Sequence, residues 1–142
     1  MRLLKVSTAM VKNPTTVPPS VFVYEAAKSM RDKEIGSVIV VSEGKVQGIA
    51  TERDLVRRVL AENKDPKTVR ISDVMTSPVI SISPNEDILE AAQLMKKKGI
   101  RRLIVMEGEK LVGIITSDDM TRNMKRAMDE YATITLYLSR HV

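Results

Sequence analysis

The apolar positions of this 142-residue chain form two successive series with the same order. Each series opens with a short extended stretch that a proline ends, Pro19 in the first half and Pro84 in the second. Apolar residues then recur at helical spacing, at Val23, Ala26, Ala27 and Met30 in the first half and at Ile88, Ala91, Ala92 and Met95 in the second. The pattern therefore predicts a strand followed by a helix in each half.

Each half continues with two short runs rich in β-branched residues, separated by a polar turn that contains a glycine. The runs cover residues 37–41 and 46–50 in the first half, and residues 103–106 and 111–115 in the second. This arrangement is typical of a β-hairpin. Second helices are expected to start at Thr51 and Thr116, so each half is predicted to be β-α-β-β-α. Ser20 and Asn85 are the expected N-caps of the first helices, and Gly99 is an expected helix end.

The two halves are copies of one unit. The segment from Gly48 to Asp54 returns as the segment from Gly113 to Asp119, with Gly, Ile, Thr and Asp at the same places. Three short strands with flanking helices cannot bury both faces of a sheet alone. The two copies are therefore expected to pack through their sheets around a pseudo-twofold axis. The expected fold class is mixed α/β (α+β).

The repeat also sets the expected domain bounds. Residues 1–60 form the first unit with its N-terminal segment, residues 61–70 a polar linker, and residues 71–125 the second unit. Residues 126–142 form a tail whose pattern suits either a helix or an extended segment. The whole chain is expected to form one compact module.

Composition excludes several kinds of site. The chain has no Cys and a single His, His141, which excludes disulfides, thiolate nucleophiles, Cys-ligated zinc and multi-His metal sites. No metal site is predicted, and a reducing, cytoplasmic location fits this composition. No apolar run is long enough to span a bilayer or to resemble a signal peptide, so no membrane association is expected.

The net charge of +5 would suggest nucleic-acid binding, but the positions of the basic residues along the chain argue against it. The basic excess lies in the flanking segments and the linker, and Phe22 with three Tyr offers few platforms for base stacking. Nucleic-acid binding by the repeats is therefore not expected. It stays an alternative for the basic linker, which carries Arg57, Arg58, Lys64, Lys67 and Arg70.

Four motifs together make the chain similar to a known family. They are Met10-x-x-x-Pro14-x-Thr16-Val17-x-Pro19, Glu25-Ala26-Ala27-x-x-Met30, Gly99-Ile100-Arg101-Arg102-Leu103-x-Val105 and the repeated Gly-Ile-x-Thr-x-x-Asp. The chain resembles a tandem pair of CBS domains, a Bateman module, named for cystathionine β-synthase. The resemblance implies a regulatory, non-enzymatic module that needs no catalytic cofactor. It also implies that AMP, ADP, ATP or S-adenosylmethionine binds in clefts between the two units.

The repeated Thr-x-x-Asp supports two interpretations. Thr51 with Asp54, and Thr116 with Asp119, have the spacing of a capping box, with Asp in place of the usual Glu or Gln, and capping needs no ligand. The resemblance implies that the two Asp residues accept hydrogen bonds from ribose hydroxyls. It implies that the two Thr hydroxyls face ribose or phosphate at a helix N-terminus. Both roles can coexist in one residue.

Other site residues follow from the resemblance alone. Thr16 and Ser81 take the family position on the strand that lines the adenine pocket, although either could be an exposed strand hydroxyl. The strand whose backbone lies near the base contains Ser37 and Val38 in the first unit and Arg102 and Leu103 in the second. The side chains of that strand are otherwise expected in the core.

The two units differ in their cationic residues. The second unit has Arg101 and Arg102 where the first has Gly36 and Ser37, and the guanidinium fork suits a phosphate, although a solvated basic surface is the simpler interpretation. Arg53 is a similar candidate for contacting phosphate in the first unit. In the second unit Asp118 takes its place and would repel a phosphate. The two sites are therefore expected to differ in affinity or ligand choice.

A second class of function needs no ligand. The clefts would stay empty, and the chain would act as a constitutive homodimer or protein-interaction module. Its contact surface would be Met120, Met124 and Met128 with residues 133–138, although such a stripe is more often helix core. In either class a homodimer and an unidentified regulated protein are the expected partners.

Overall fold

A computed structural model describes residues 4–141 and the side chains of residues 4–140. Its elements follow in chain order. They are α1 (Val6–Ala9), β1 (Val11–Lys12), β2 (Thr16–Val17), α2 (Val23–Asp32), β3 (Ser37–Ser42), β4 (Lys45–Thr51), α3 (Glu52–Leu55), a π-helical turn (Val56–Leu60), a 3-10 turn (Ile71–Asp73), β5 (Ser81–Ile82), α4 (Ile88–Lys98), β6 (Arg102–Glu107), β7 (Lys110–Thr116) and α5 (Ser117–His141). The predicted mixed α/β class with two repeats is confirmed.

The chain divides into two compact units, and the division does not follow the sequence repeats. The central unit is Asn13–Ile80, and the split unit combines the residues up to Lys12 with those from Ser81 onward. The expected domain bounds, at residues 60, 70 and 125, instead follow the sequence repeats. The difference arises because the opening segment of each repeat packs in the unit of the other repeat. These exchanged segments are residues 4–12 of the first repeat and residues 71–80 of the second.

The central unit contains a three-stranded sheet of order β2-β3-β4. β2 runs parallel to β3, and β3 and β4 form the predicted antiparallel hairpin. The turn places Glu43 and Gly44 at positive φ, 51° and 75°, a conformation that glycine adopts without strain. α2 covers the sheet with Val23, Ala26 and Met30, whose burial explains the helical spacing of its apolar residues.

The split unit repeats this arrangement with one more strand, in the order β1-β7-β6-β5. β5 runs parallel to β6, and β6 pairs antiparallel with β7. α4 buries Ile88, Ala91 and Met95. It ends at Gly99, which adopts the left-handed conformation (φ 65°) expected of a helix stop.

The glycine of each repeat lies against the methionine that opens the other repeat: Gly48 against Met75, and Gly113 against Met10. β1 pairs with β7 in the split unit, and Thr76 forms the equivalent bridge with Ile49 in the central unit. A Cβ on Gly48 would lie 2.6 Å from Met75 Sδ and 2.9 Å from the Thr76 carbonyl oxygen. A Cβ on Gly113 would meet Met10 Sδ and the Val11 carbonyl at the same two distances. Each glycine is therefore required by the close approach of the incoming segment.

The predicted N-caps are wrong. α2 begins after Phe22 and not after Ser20, and the cap of α4 is Asp87, whose Oδ1 accepts a hydrogen bond from the Leu89 amide at 2.9 Å, and not Asn85. The cause is the same in both units. The chain before each helix is held extended by hydrogen bonds from Val23 N to Val69 O and from Ile88 N to Leu4 O, so the helix starts later.

The second helices of the two repeats differ. In the first repeat α3 lasts one turn and continues as the π-helical turn, in which Val59 is buried and Val56 and Leu60 are exposed. In the second repeat α5 continues through the tail, so the segment whose conformation the sequence left open is a helix as far as His141. Val142 and residues 1–3 lie outside the described residues.

Candidate ligand sites

The central unit gathers the predicted residues at one end of its sheet. β3 begins where β4 ends, so Ser37 pairs directly with Thr51. Thr16 lies on the neighbouring strand β2, paired with Ile39, and Asp54 follows on α3. We call Thr16, Ser37, Val38, Thr51, Arg53 and Asp54 the Asp54 site. Arg53 is exposed on the first turn of α3.

A reciprocal capping box holds Asp54. The Thr51 amide and hydroxyl donate to Asp54 Oδ2 at 2.9 and 3.1 Å, and the Asp54 amide donates to Thr51 Oγ1 at 3.2 Å. The other oxygen, Oδ1, accepts from the Thr76 hydroxyl at 3.1 Å, and Arg58 Nε lies 4.0 Å from it. The Asp54 side chain is only 12% exposed. The capping interpretation therefore holds for Oδ2, and Oδ1 faces two other side chains.

The split unit builds the same arrangement from other residues. Arg102 pairs directly with Thr116, Ser81 pairs with Ile104 on β6, and Asp119 lies on the first turn of α5. We call Ser81, Arg101, Arg102, Leu103, Thr116 and Asp119 the Asp119 site. Arg101 is exposed, and its carbonyl accepts from the Ser117 amide at 2.9 Å, which joins the start of β6 to the start of α5.

Asp119 has the same capping box and a different second partner. The Thr116 amide and hydroxyl donate to Asp119 Oδ2, both at 2.9 Å, and the Asp119 amide donates to Thr116 Oγ1 at 3.1 Å. Oδ1 accepts from Arg122 Nη2 at 2.6 Å. The Asp119 side chain is 8% exposed and that of Arg122 is 66% exposed. A buried carboxylate is therefore covered by a solvent-facing cation.

The hydrogen-bond count limits what each carboxylate can still bind. An ionised carboxylate accepts about four hydrogen bonds. Asp54 and Asp119 each receive three from the side chains and amides named above. Each therefore keeps room for about one more donor. The Thr51 and Thr116 hydroxyls already donate their single hydrogen to the carboxylates, so toward a ligand they can only accept.

Val38 and Leu103 contribute their backbone and not their side chains. Both side chains are fully buried. They pair with Ala50 and Ile115 in the two hairpins. Only backbone atoms at these positions could face a ligand, and the burial of the side chains agrees with their expected core location.

Ser81 also belongs to a cavity that the other predicted residues do not line. The cavity has a volume of about 490 Å³ and lies between the start of β5 and α4. Its walls are Ser81, Ile82, Ser83, Glu86, Glu90, Gln93, Leu94 and Lys97. The cavity is therefore distinct from the Asp119 site, with which it shares only Ser81.

Three residues near the carboxylates were missed by sequence reasoning. Arg58 and Arg122 lie four and three residues after their Asp on a helix, a spacing at which opposite charges meet, so the sequence contained a signal. Thr76 had none, because Val11 takes its place in the other unit and the contact depends on the exchanged segment.

Much of the basic linker is engaged within the central unit. Arg58 Nη1 donates to the carbonyls of Val74 and Met75 at 3.0 and 2.9 Å. Arg70 donates to the Ser20 carbonyl at 2.6 Å and stacks over Phe22, and Lys67 lies 5.5 Å from the ring centre of Tyr24. These contacts orient three of the five candidate nucleic-acid-binding cations toward the protein itself.

The described residues form neither a metal site nor a membrane-spanning helix. Between Leu4 and Arg140 no cluster of three or more His, Asp or Glu side chains is placed to hold a metal ion. None of the helices in the described part of the chain has the length and apolar character needed to cross a membrane.

Each unit joins a mixed sheet to a helix that begins with a capped, largely covered carboxylate, and this α/β unit occurs twice in the chain. The family model of the CBS domain matches residues 6–61 and 71–126. The chain belongs to the CBS-domain family and carries two CBS domains, which confirms the resemblance.

The chain is similar to proteins of several sources. It is 41% identical over 122 residues to the uncharacterized protein MK0525 of Methanopyrus kandleri, covering 84% of this chain and 62% of that protein. The CBS domain pair of protein MJ0100, solved with 5′-methylthioadenosine and S-adenosyl-L-methionine, has a TM-score of 0.77 and 32% identity over 84% of this chain and 94% of that one. A hexameric CBS-CP12 protein from bloom-forming cyanobacteria has a TM-score of 0.78 and 32% identity, and the match covers 85% of this chain and 71% of that one.

Proposed function

We propose that this chain is a regulatory module, not an enzyme, that binds an adenosyl ligand at the Asp54 and Asp119 sites. The ligand is AMP, ADP, ATP or S-adenosylmethionine, and no catalytic cofactor is involved. The observation that carries the proposal is the pair of largely covered carboxylates at the helix starts that follow β4 and β7, each with room for a further hydroxyl donor. The adenosyl ligands of the MJ0100 pair support this choice of ligand class.

Ribose binding is the task we assign to the carboxylates. A ribose diol presents two O–H donors, and each Asp has room for about one, so binding of both hydroxyls needs one present partner to leave. At Asp119 that partner is Arg122, whose exposed side chain can turn into solvent. At Asp54 it is Thr76, which is fixed by two backbone hydrogen bonds with Ile49. The Asp119 site should therefore accept the diol at lower cost.

Base and phosphate binding fall to the flanking residues. The backbone at Val38 and Leu103, with the hydroxyls of Thr16, Ser37 and Ser81, would border the adenine. Arg101 and Arg102 would contact phosphate at the Asp119 site, because both flank the strand end that carries Thr116. Arg53 would do so at the Asp54 site.

Regulation would follow from a shift in conformational populations. A ligand stabilises whichever arrangement of the module binds it more tightly, so its concentration would set the state that a partner senses. We propose a homodimer as the working form, acting in the cytoplasm on an unidentified regulated protein. The hexamer of the CBS-CP12 protein is an example of assembly in this family.

Isothermal titration with AMP, ATP and S-adenosylmethionine tests the proposal. At least one ligand should give saturable heat, and adenosine should compete for the same site. Absence of heat with all three at millimolar concentration would contradict ligand sensing and favour the interaction module with empty sites. Nucleic-acid binding would instead appear as DNA affinity that falls steeply with salt.

A further inference from the structure

The second half of α5 carries an exposed apolar surface that the proposed function does not use. Six apolar side chains between Met128 and Leu138 are each more than half exposed, and Tyr131 reaches 74%. No charged residue occurs from Tyr131 to Ser139. Surfaces of this kind on a soluble protein usually mark a contact with another molecule.

The apolar positions form one continuous seam along α5. Met120, Met124, Ala127, Tyr131, Ile134 and Leu138 follow one another at alternating spacings of four and three residues, the heptad spacing of paired helices. Met120 is buried and Met124 and Ala127 are partly covered, whereas Tyr131, Ile134 and Leu138 are exposed. The helix therefore packs on its own unit through its first half and continues the same face beyond it.

We propose that residues 128–140 of α5 pair antiparallel with the same segment of a second copy of this chain. This inference stands apart from ligand binding and needs no ligand. Leu136 points away from the seam, but Tyr131, Ile134 and Leu138 with Met128 and Tyr137 at their flanks expose on the order of 500 Å² of apolar surface per copy, against about 800 Å² per partner in a standard interface. The surface is large enough to contribute substantially to a dimer.

The charges around the seam select the antiparallel orientation. Asp129 and Glu130 precede the uncharged stretch, and Arg140 follows it. A twofold axis close to Thr135 places Glu130 of one copy beside Arg140 of the other, and it places the Ile134 side chains of the two copies close together. A parallel pair would instead place Glu130 beside Glu130 and Arg140 beside Arg140, and like charges repel.

A chain without cysteine allows the pairing to be mapped by single thiols. Full-length Thr135→Cys, Glu130→Cys and Arg140→Cys variants would be treated with a short bismaleimide. Thr135→Cys should cross-link to itself, and Glu130→Cys should cross-link to Arg140→Cys in a mixture far more than either does alone. Self-linking of Glu130→Cys and of Arg140→Cys as strong as in the mixture, or no cross-link in any sample, would overturn the proposal.

Substitutions in the seam supply the matched control. Ile134→Asp should abolish the mixed cross-link, whereas Leu136→Asp, which makes the same chemical change on the opposite face, should leave it in place. Circular dichroism would establish that both variants keep their helices. In the Thr135→Cys variant, Glu130→Arg and Arg140→Glu should each reduce the self-linked fraction about fivefold, and the double charge reversal should restore it. Equal loss in Ile134→Asp and Leu136→Asp would identify unspecific association, or capture of another partner, and would contradict the pairing.

Discussion

The Asp54 and Asp119 sites are alike on one carboxylate oxygen and different on the other. In both, Oδ2 closes a capping box with the preceding Thr. At Asp54 the second oxygen is held by Thr76, a strand residue, whereas at Asp119 it is held by Arg122, an exposed helix residue. The shared oxygen maintains the helix start, and the other oxygen has partners that can differ without disturbing the fold, so under the proposed function it is where the two sites would come to differ in ligand binding.

Substitution of the repeated glycines should have the largest effect and should affect both units equally. Gly48→Ala and Gly113→Ala each place a Cβ 2.9 Å from a backbone carbonyl and 2.6 Å from a methionine sulfur. We expect each to lose about 2 kcal/mol of stability, because the pairing segment must move. Thermal unfolding measures this loss, and Gln47→Ala, an exposed change on the same strand, should lie within about 0.5 kcal/mol of the native chain. A loss confined to one glycine would show that only one unit depends on the exchanged segment.

Removal of either carboxylate charge should separate ligand binding from capping. Asp119→Asn and Asp54→Asn keep one acceptor oxygen for the capping Thr but lose the charge, and hydrogen bonds to a charged group are worth about 1.5–3 kcal/mol. We expect adenosine to bind about tenfold or more weakly at the altered site, with the larger effect for Asp119→Asn. Titration calorimetry measures the affinity, and thermal unfolding measures the cost to the cap. Unchanged affinity together with lowered stability would mean that the Asp only caps its helix.

Exchange of the residues that begin β3 and β6 should exchange phosphate preference. Arg102→Ser gives the Asp119 site the residue of the Asp54 site, and Ser37→Arg makes the reverse change. One charge-assisted bond to phosphate is worth about 1.5 kcal/mol, so Arg102→Ser should weaken ATP about tenfold while adenosine is little changed. Competition calorimetry with the two ligands reports the ratio. Lys96→Ser removes one positive charge nearby and should leave that ratio unchanged, so a parallel drop would point to general electrostatics.

The smallest expected effect concerns the cation that covers Asp119. Arg122→Ala removes a partner that the ribose must displace. Although Asp119 is buried, the Arg122 side chain is 66% exposed to screening by water, so the pair should be worth about 1 kcal/mol or less. Adenosine should therefore bind two- to threefold more tightly. Arg57→Ala, at the equivalent place in the first repeat, is the control and should change nothing. Weaker binding in Arg122→Ala would make Arg122 a ligand-contacting residue.

Most of the fold was predictable because its signals are local and occur twice. The hairpins follow from β-branched runs around a polar turn, the end of α4 from Gly99, and both capping boxes from Thr-x-x-Asp. The helix starts were not predictable, because Phe22 and Asp87 are kept extended by chain segments distant in sequence. The contact of Thr76 with Asp54 could not be predicted for the same reason. A contact made by an exchanged segment joins residues of different repeats, so the residue pattern within one repeat does not indicate it.

Arg58 and Arg122 show a different limit. Their spacing from Asp54 and Asp119 was visible, yet spacing alone does not distinguish a surface ion pair from a cover over a buried carboxylate. The distinction required the burial of the Asp side chains, 12% and 8% exposed. Burial arises from the packing of the whole unit, which a sequence pattern does not report.

The exchanged segments also impose an order on biosynthesis. Residues 4–12 are translated well before β7, the strand with which β1 pairs, and that pairing must wait until Gly113 has left the ribosome. The central unit can close once Ile80 is available. The nascent chain should therefore fold from its middle outward, with its N-terminal segment waiting unpaired through most of translation. A stalled nascent chain in which Ile80 has left the exit tunnel and Gly113 has not should display a folded central unit next to an N-terminal segment that is still open to protease.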